Sequence, residues 1–254
     1  MLSIEPIPAF RDNYIWVARN NQHAAAIDPG DAAPLLHYLE SENLELVAIL
    51  NTHHHADHVG GNLELKARFS CKIYGPAGES IPGLTHPARE GDRISLPEIG
   101  MTLDILDIPG HTLGHIAYYG EDALFCGDTL FGCGCGRVFE GTMAQMHASL
   151  EKLSQLPGDT RVYCAHEYTL ANIHFAKAVE PENEALRGRE AEALGLRKKH
   201  LPSLPSTMGI ERQTNPFLRC GIPRVAEAAS RHSGSSLTSP LEVFTALRKW
   251  KNDF

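Results

Sequence analysis

The sequence predicts an α/β core followed by a smaller helical region, and two observations support this fold class. Up to about Tyr168 the chain consists of short runs rich in Val, Ile, Leu and aromatic residues, bounded by Gly, Pro, Asn or Asp. After that point no strand pattern of similar strength appears, and apolar residues recur at helical spacing. The helical part would span roughly 85 residues, within the usual size range of a domain.

The predicted elements follow one another in a regular order. Strands are predicted over 14–18, 24–28, 46–50, 72–74, 102–108, 116–119, 123–126 and 162–165. Helices are predicted over 32–42, 60–69, 143–156, 170–179, 184–199 and 241–251, because apolar residues there fall near i, i+3 and i+4. Thr142 is the predicted N-cap of the third helix, and a connector rich in Pro and Ser covers 201–216.

Composition excludes several functional classes. The formal charge of −8 argues against a nucleic-acid-binding surface. No apolar run reaches the 18 residues that would indicate a membrane span, and no signal peptide opens the chain. Six cysteines in 254 residues do not make a disulfide framework. We therefore expect a cytoplasmic protein that binds neither nucleic acid nor membrane, and a monomer.

The strongest local signal is the histidine-rich segment THHHADH at 52–58, directly after the predicted strand 46–50. Alternate residues of an extended segment point the same way, so His53 and His55 can converge on one point. Asp57 and His58 can face a second point after the chain turns. Imidazole and carboxylate groups suit zinc and other first-row divalent ions. An expression tag would lie at a terminus, so the segment predicts a site for one metal ion or two.

Three further candidate ligands each follow a predicted strand. His111 comes after strand 102–108, Asp128 after strand 123–126 and His166 after strand 162–165. Each alone is more often a turn or capping residue. Their repetition at strand ends favours one shared site, because loops at one end of a sheet sandwich commonly carry function.

These residues resemble the metallo-β-lactamase superfamily and, within it, glyoxalase II, the hydroxyacylglutathione hydrolases. The similar segments are DNY at 12–14, THHHADHVGG at 52–61, PGHTLGH at 109–115, GDTLF at 127–131, GCGR at 134–137, HEYT at 166–169, NPFLR at 215–219 and RKWKNDF at 248–254. The metal motif is shared across the superfamily, whereas the C-terminal segments are more specific to the thioesterase.

The resemblance implies an α+β fold, a four-layer αββα sandwich over residues 1–166, and an all-α glutathione-binding domain over 167–254. It also implies two divalent metal ions per chain, zinc first, with iron or manganese as alternatives. The first ion would be held by His53, His55 and His111, and the second by Asp57, His58 and His166. Asp128 would bridge them together with a hydroxide that Asp57 and Asp128 orient.

The same resemblance implies the reaction and the substrate. The shared hydroxide would attack the thioester of an S-(2-hydroxyacyl)glutathione, typically S-D-lactoylglutathione, giving glutathione and D-lactate in methylglyoxal detoxification. Substrate contacts are implied at Arg137, Phe139, Tyr168, Arg248 and Lys251. This chain departs from the family by Arg at 137, where other members have Lys, and by Phe at 139, where some have Tyr.

Other functions on the same fold remain open from the residues. A lactonase, phosphodiesterase or β-lactamase could use the same metal ligands. A persulfide dioxygenase uses a single iron and would not need Asp57, His58 and His166 together. Cys133 and Cys135 could form a redox pair or a thiolate site, but cysteines separated by one residue rarely meet disulfide geometry.

Overall fold

The computed structural model describes residues 2–254 and divides into two compact units. The first unit is the chain up to Asp107 together with Thr112–Gly127. The second is Ile108–His111 together with Asp128–Phe254.

The first unit contains a six-stranded sheet with the order β1-β2-β3-β4-β5-β6. Its strands are β1 Ser3–Ala9, β2 Asn13–Arg19, β3 His23–Ile27, β4 Glu45–Leu50, β5 Lys72–Pro76 and β6 His86–Ala88. The first three strands pair antiparallel and the last three extend the sheet in parallel from β3. Because β4 is an interior parallel strand, its residues from Leu46 to Leu50 form an almost continuous apolar run.

Four antiparallel strands of the first unit pair in the order β10-β9-β8-β7. They are β7 Arg93–Leu96, β8 Met101–Asp107, β9 Ile116–Gly120 and β10 Ala123–Gly127. In β8 the buried residues Met101, Leu103 and Ile105 alternate with more exposed ones, as expected for a strand that packs one face on a core. The helices of this unit are α1 Ala32–Ser41, α2 Ala56–Val59 and α3 Asn62–Phe69. Leu35, Leu39 and Leu65 from these helices join a core with Val17, Ile49 and other residues of the first sheet.

The second unit is mainly helical. Its short strands are β11 Leu130–Phe131, β12 Gly134–Cys135, β13 Arg161–Cys164 and β14 Ser206–Thr207, paired as β11 with β12 and β13 with β14. Its helices are α4 Met143–Ser154, α5 Thr169–Val179, α6 Glu184–Lys198, α7 Met208–Thr214, α8 Pro223–Ser233 and α9 Pro240–Asp253, with a 3-10 turn at Pro216–Leu218. Thr142 caps α4 in a capping box with Gln145, which confirms the predicted N-cap.

All eight predicted strands are present, with bounds that differ by at most two residues. The predicted helix 60–69 was wrong at its start, because a separate one-turn helix precedes Gly60 and α3 begins at Asn62. The predicted connector 201–216 contains α7, and α8 was missed. Helix α8 buries Val225, Ala228 and Ala229 and begins at Pro223, a residue that is common at the first helical position.

The described helices include none that is both long and apolar enough to cross a membrane.

Candidate active site

The histidine-rich segment follows the end of β4 in the first unit, as the sequence predicted. His53 and His58 are fully buried and their rings lie 4.1 Å apart between centroids. His53 Nε2 lies 3.1 Å from His55 Nδ1, so these two imidazoles converge on one point. His54 is partly exposed, and its Nδ1 lies 3.0 Å from the Glu79 carboxylate.

The neighbours of His53 determine which of its nitrogens can bind a metal. Thr52 donates its hydroxyl hydrogen to Asp28 Oδ2 at 2.7 Å, and Asp28 Oδ1 accepts the Thr52 backbone N–H at 2.8 Å. With its hydrogen used in this way, the Thr52 hydroxyl accepts from His53 Nδ1 at 3.0 Å. His53 therefore carries its proton on Nδ1, and Nε2 is the nitrogen with the ligand lone pair.

Asp57 and His58 form a second pair in the same unit. Asp57 Oδ2 lies 3.5 Å from His58 Nε2 and accepts a hydrogen bond from Asn13 at 3.0 Å. His58 Nδ1 lies 3.1 Å from Asp28 Oδ2 on the other side of the ring. Asn13, part of the DNY opening, thus orients the Asp57 carboxylate.

Asp128, His111 and His166 meet in the second unit. Asp128 Oδ2 lies 3.4 Å from His111 Nε2, and its other oxygen, Oδ1, lies 3.3 Å from His166 Nε2. His111 donates from Nδ1 to the Arg137 carbonyl at 2.8 Å, since a carbonyl can only accept. The two oxygens of one carboxylate therefore face two different imidazoles, as a carboxylate that bridges two metal ions would.

These spacings fit a metal centre. Two ligands of a tetrahedral zinc ion, each bonded at about 2.0–2.1 Å, lie about 3.3–3.4 Å apart. The four pairs just described span 3.1–3.5 Å. The donors are imidazole nitrogens and carboxylate oxygens, which suit zinc, iron and manganese. The clusters could hold metal ions.

A pocket of about 440 Å³ opens beside His111 and Asp128 within the second unit. Its lining includes all five residues for which substrate contacts were predicted: Arg137, Phe139, Tyr168, Arg248 and Lys251. Tyr168 stacks on the ring of His166 at 4.8 Å, and the Phe139 ring lies 5.2 Å from that of His111. Candidate metal ligands and candidate substrate contacts therefore share one cavity.

The two C-terminal cations of the pocket differ in their surroundings. Lys251 Nζ lies 5.2 Å from the Phe175 ring centroid, and burial, followed by the charge of Arg248, lowers the pKa of Lys251 to about 8. Arg248 is only 3% exposed and donates from Nη1 to the carbonyls of Cys135 at 2.8 Å and Gly136 at 3.4 Å. Arg248 therefore supports the pocket wall as well as lining it.

Cys133 and Cys135 are both buried in the second unit. Burial raises the pKa of Cys133 to about 12 and also raises that of Cys135, so both favour the neutral thiol. Cys133 Sγ contacts Thr214 Oγ1 at 3.4 Å, whereas Cys135 Sγ contacts Arg248 Nη1 at 3.6 Å. The two thiols therefore pack against different residues, Thr214 and Arg248.

Two family models match the chain. Residues 9–166 match the metallo-beta-lactamase superfamily and residues 167–254 match the hydroxyacylglutathione hydrolase C-terminus. A hydroxyacylglutathione hydrolase of Nitrosomonas europaea is 54% identical over 254 residues, covering all of this chain and 97% of the relative. Another, of Vibrio cholerae, is 53% identical and covers both chains completely. This chain belongs to the hydroxyacylglutathione hydrolase family.

Solved structures agree with the fold expected for this family. A B3 metallo-beta-lactamase, BLEG-1, has a TM-score of 0.63 at 25% identity and covers 86% of this chain and 99% of its own. ETHE1 from Myxococcus xanthus has a TM-score of 0.65 at 22% identity, with 99% and 98% covered. The protein TTHA1623, described in a di-iron-bound form, has a TM-score of 0.60 at 26% identity, with 84% and 100% covered. The predicted αββα metallo-β-lactamase fold with a C-terminal helical region is confirmed.

Asp28, which lies beside the candidate metal ligands His53 and His58, was not predicted from the sequence. Asp28 is 4% exposed and, together with His53 and His58, places ligand atoms within 4.8 Å of one another. It reaches His58 at Nδ1 and His53 through Thr52, so it orients both rings from behind. Asp28 directly follows β3, whereas the predicted strand 24–28 included it as its last residue.

We expect Asp28→Asn to lower metal affinity about tenfold, because its NH₂ group must face either the Thr52 backbone N–H or the side that Thr52 Oγ1 and His58 Nδ1 approach, where it cannot accept. Competition with a chelator measures the loss. Asp31→Asn is the matched control, since Asp31 caps α1 and asparagine caps equally well. Equal affinities in the two variants would contradict an orienting role for Asp28.

Proposed function

We propose that this protein is a dinuclear-metal thioester hydrolase that converts S-D-lactoylglutathione to glutathione and D-lactate. The observation that carries the proposal is the pocket of the second unit. In it, His111 and Asp128 lie beside Arg137, Arg248 and Lys251, three cationic side chains. Glutathione carries two carboxylates, for which cationic side chains are suitable partners.

The metal assignment is part of the proposal. His53, His55 and His111 would hold one ion, Asp57, His58 and His166 the second, and Asp128 both. All seven residues fall within the stretch 9–166 that matches the metallo-beta-lactamase superfamily. The relative TTHA1623 in a di-iron-bound form supports a site for two ions. We propose zinc first, with iron and manganese as alternatives, and a monomeric chain.

Two such ions, when bound, lower the pKa of a shared water to near neutrality and polarise the thioester carbonyl. The protein's side chains would orient the metal ligands. The Nδ1 hydrogen bonds of His53 and His111 aim both Nε2 atoms, and Asn13 holds the Asp57 carboxylate. Lys251 and Arg137 would bind the remote carboxylates of the substrate, while Phe139 and Tyr168 would bound the acyl end of the pocket.

The residues that match the C-terminal family model favour the thioesterase over other enzymes of the fold. Tyr168, Arg248 and Lys251 all lie within residues 167–254, the part matched by the hydroxyacylglutathione hydrolase C-terminus. A lactonase or a phosphodiesterase does not require cationic groups placed for glutathione carboxylates. The boundary between residues 166 and 167 stays a prediction for the division into domains.

The test combines metal quantification on native protein with substrate turnover. We expect close to two metal ions per chain and hydrolysis of S-D-lactoylglutathione well above that of a lactone or a phosphodiester. Oxygen consumption with glutathione persulfide separates the dioxygenase alternative. One iron per chain with oxygen uptake, or preferred turnover of a lactone, would overturn the proposal.

A further inference from the structure

A pair of polar side chains lies fully buried in the second unit, outside the pocket lining. Glu211 on α7 and Asn215 after it are both 0% exposed, and Asn215 Nδ2 donates to Glu211 Oε2 at 3.1 Å. Asn215 opens the NPFLR segment that resembles the family. That segment has no part in the substrate contacts, because Arg219, its cation, pairs with Glu180 at 2.7 Å.

Both side chains hold the backbone of the β11–β12 hairpin. Glu211 Oε2 accepts the backbone N–H of Cys133 at 2.8 Å. Asn215 Nδ2 donates to the carbonyls of Gly134 at 2.9 Å and Phe131 at 3.2 Å. The turn between the two strands is thus fixed by hydrogen bonds from residues about 80 positions later, and Cys133 has the left-handed φ of 55°.

The hairpin is connected to each candidate metal ligand of this unit. Asp128 lies two residues before β11, and just outside the hairpin Gly136 donates its N–H to the Thr129 carbonyl at 3.1 Å. A Cβ at Gly136 would lie 1.9 Å from the Asp128 carbonyl oxygen, so the ends meet without room for a side chain. Arg137, the next residue, provides the carbonyl that fixes His111.

The third contact is aromatic. The ring of Phe131 packs edge-on against His166 at 5.8 Å, and the carbonyl of the same residue accepts from Asn215. A shift of the hairpin would therefore move the Asp128 carboxylate, the His111 ring and the packing face of His166 together.

We propose that Glu211 and Asn215 are positioning residues that hold this hairpin so that Asp128, His111 and His166 keep the geometry needed to bind metal. Burying this pair costs free energy. Burial raises the pKa of Glu211, although hydrogen bonds from Ser206, Cys133 and Asn215 act in the opposite direction. An apolar filling of equal volume would avoid that cost but could not define the hairpin backbone.

The kinetic readout of this inference rests on the proposed thioesterase function, whereas metal affinity gives a readout independent of it. We expect Asn215→Ala and Glu211→Ala to lower metal affinity and kcat about tenfold or more, with KM within about threefold of the parent. Glu211→Gln is expected to stay within about threefold in all three quantities. Its amide oxygen can accept from Cys133 and Asn215 while its NH₂ donates to Ser206.

Val225→Ala, in the buried face of α8, is the control for a general loss of stability. It is expected to lower Tm while metal affinity stays unchanged.

Should the alanine variants fail to fold, Asn215→Asp keeps the size of the side chain and places an acceptor against two carbonyls. It is also expected to lower metal affinity. Wild-type metal affinity in folded Asn215→Ala, or equal losses in Glu211→Gln and Glu211→Ala, would overturn the proposal. A parent protein that binds metal but leaves S-D-lactoylglutathione intact would instead refute the proposed function.

Discussion

Asp128→Ala is expected to lower kcat/KM for S-D-lactoylglutathione about a thousandfold and to reduce the bound metal below two ions per chain. The two oxygens of Asp128 lie 3.4 Å from His111 Nε2 and 3.3 Å from His166 Nε2, so one side chain would serve both ions. A metal ion supplies several kcal/mol of transition-state stabilisation, and about 4 kcal/mol corresponds to a thousandfold in rate. Steady-state kinetics and elemental analysis of the same sample measure both effects.

Asp104→Ala is the matched control for this variant. Asp104 lies on β8 and pairs at the surface with Arg93, an interaction worth little to stability. Its activity and metal content should equal those of the parent. Asp128→Asn adds a finer comparison, because the amide keeps the shape but replaces one oxygen with NH₂ and removes the negative charge. Full metal content and activity in Asp128→Ala would be incompatible with a bridging role.

Lys251→Ala is expected to raise KM about 10- to 100-fold while kcat changes by less than about threefold. A charge-assisted hydrogen bond contributes about 1.5–3 kcal/mol, and Lys251 would contact a carboxylate remote from the reacting thioester. Lys249→Ala is the control, since Lys249 lies two residues away and is exposed. Equal KM values for Lys251→Ala and the parent would contradict the assignment of this pocket to glutathione.

The pH dependence of KM provides a second measure of the same interaction. Lys251 has a pKa of about 8, so it is charged below that pH and becomes neutral above it. KM of the parent should therefore rise as pH increases through 8. Lys251→Ala should lack this component, and the difference between the two profiles removes any titration of the substrate itself.

Arg248→Ala should behave differently from Lys251→Ala. From the sequence, both residues were expected to contact the substrate. The structure shows Arg248 donating to the carbonyls of Cys135 and Gly136, directly before Arg137. Its loss should therefore lower kcat and Tm as well as raise KM.

The strand pattern and the family segments predicted the fold well. Buried strands such as β4 and β10 carry apolar runs bounded by turn residues, which is a local signal. The rule that polar residues follow strand ends located Asp128 and His166, which lie close together in the second unit. The rule did not indicate Asp28, because the predicted strand 24–28 included this residue, whereas β3 ends at Ile27.

Other features were out of reach of local patterns. Helix α7 lies within a segment rich in Pro and Ser, and its stability comes from buried contacts such as that between Glu211 and Ser206 at 2.6 Å. The bonds from Arg248 to the carbonyls of Cys135 and Gly136 are a second case, because nothing in the sequence indicates these carbonyls as its partners. In both cases the deciding interaction joins residues that are paired only after packing.

The sequence by itself determined the fold class, the family and the chemical types of the metal donors, because each depends on residue identity and short-range periodicity. The tertiary structure alone decided which imidazole nitrogen each partner orients, which carboxylate lies behind His53 and His58, and what Asn215 does. Those outcomes depend on hydrogen bonds between residues far apart in the chain, such as Asn215 and Gly134 at 2.9 Å, whose geometry exists only in the folded protein.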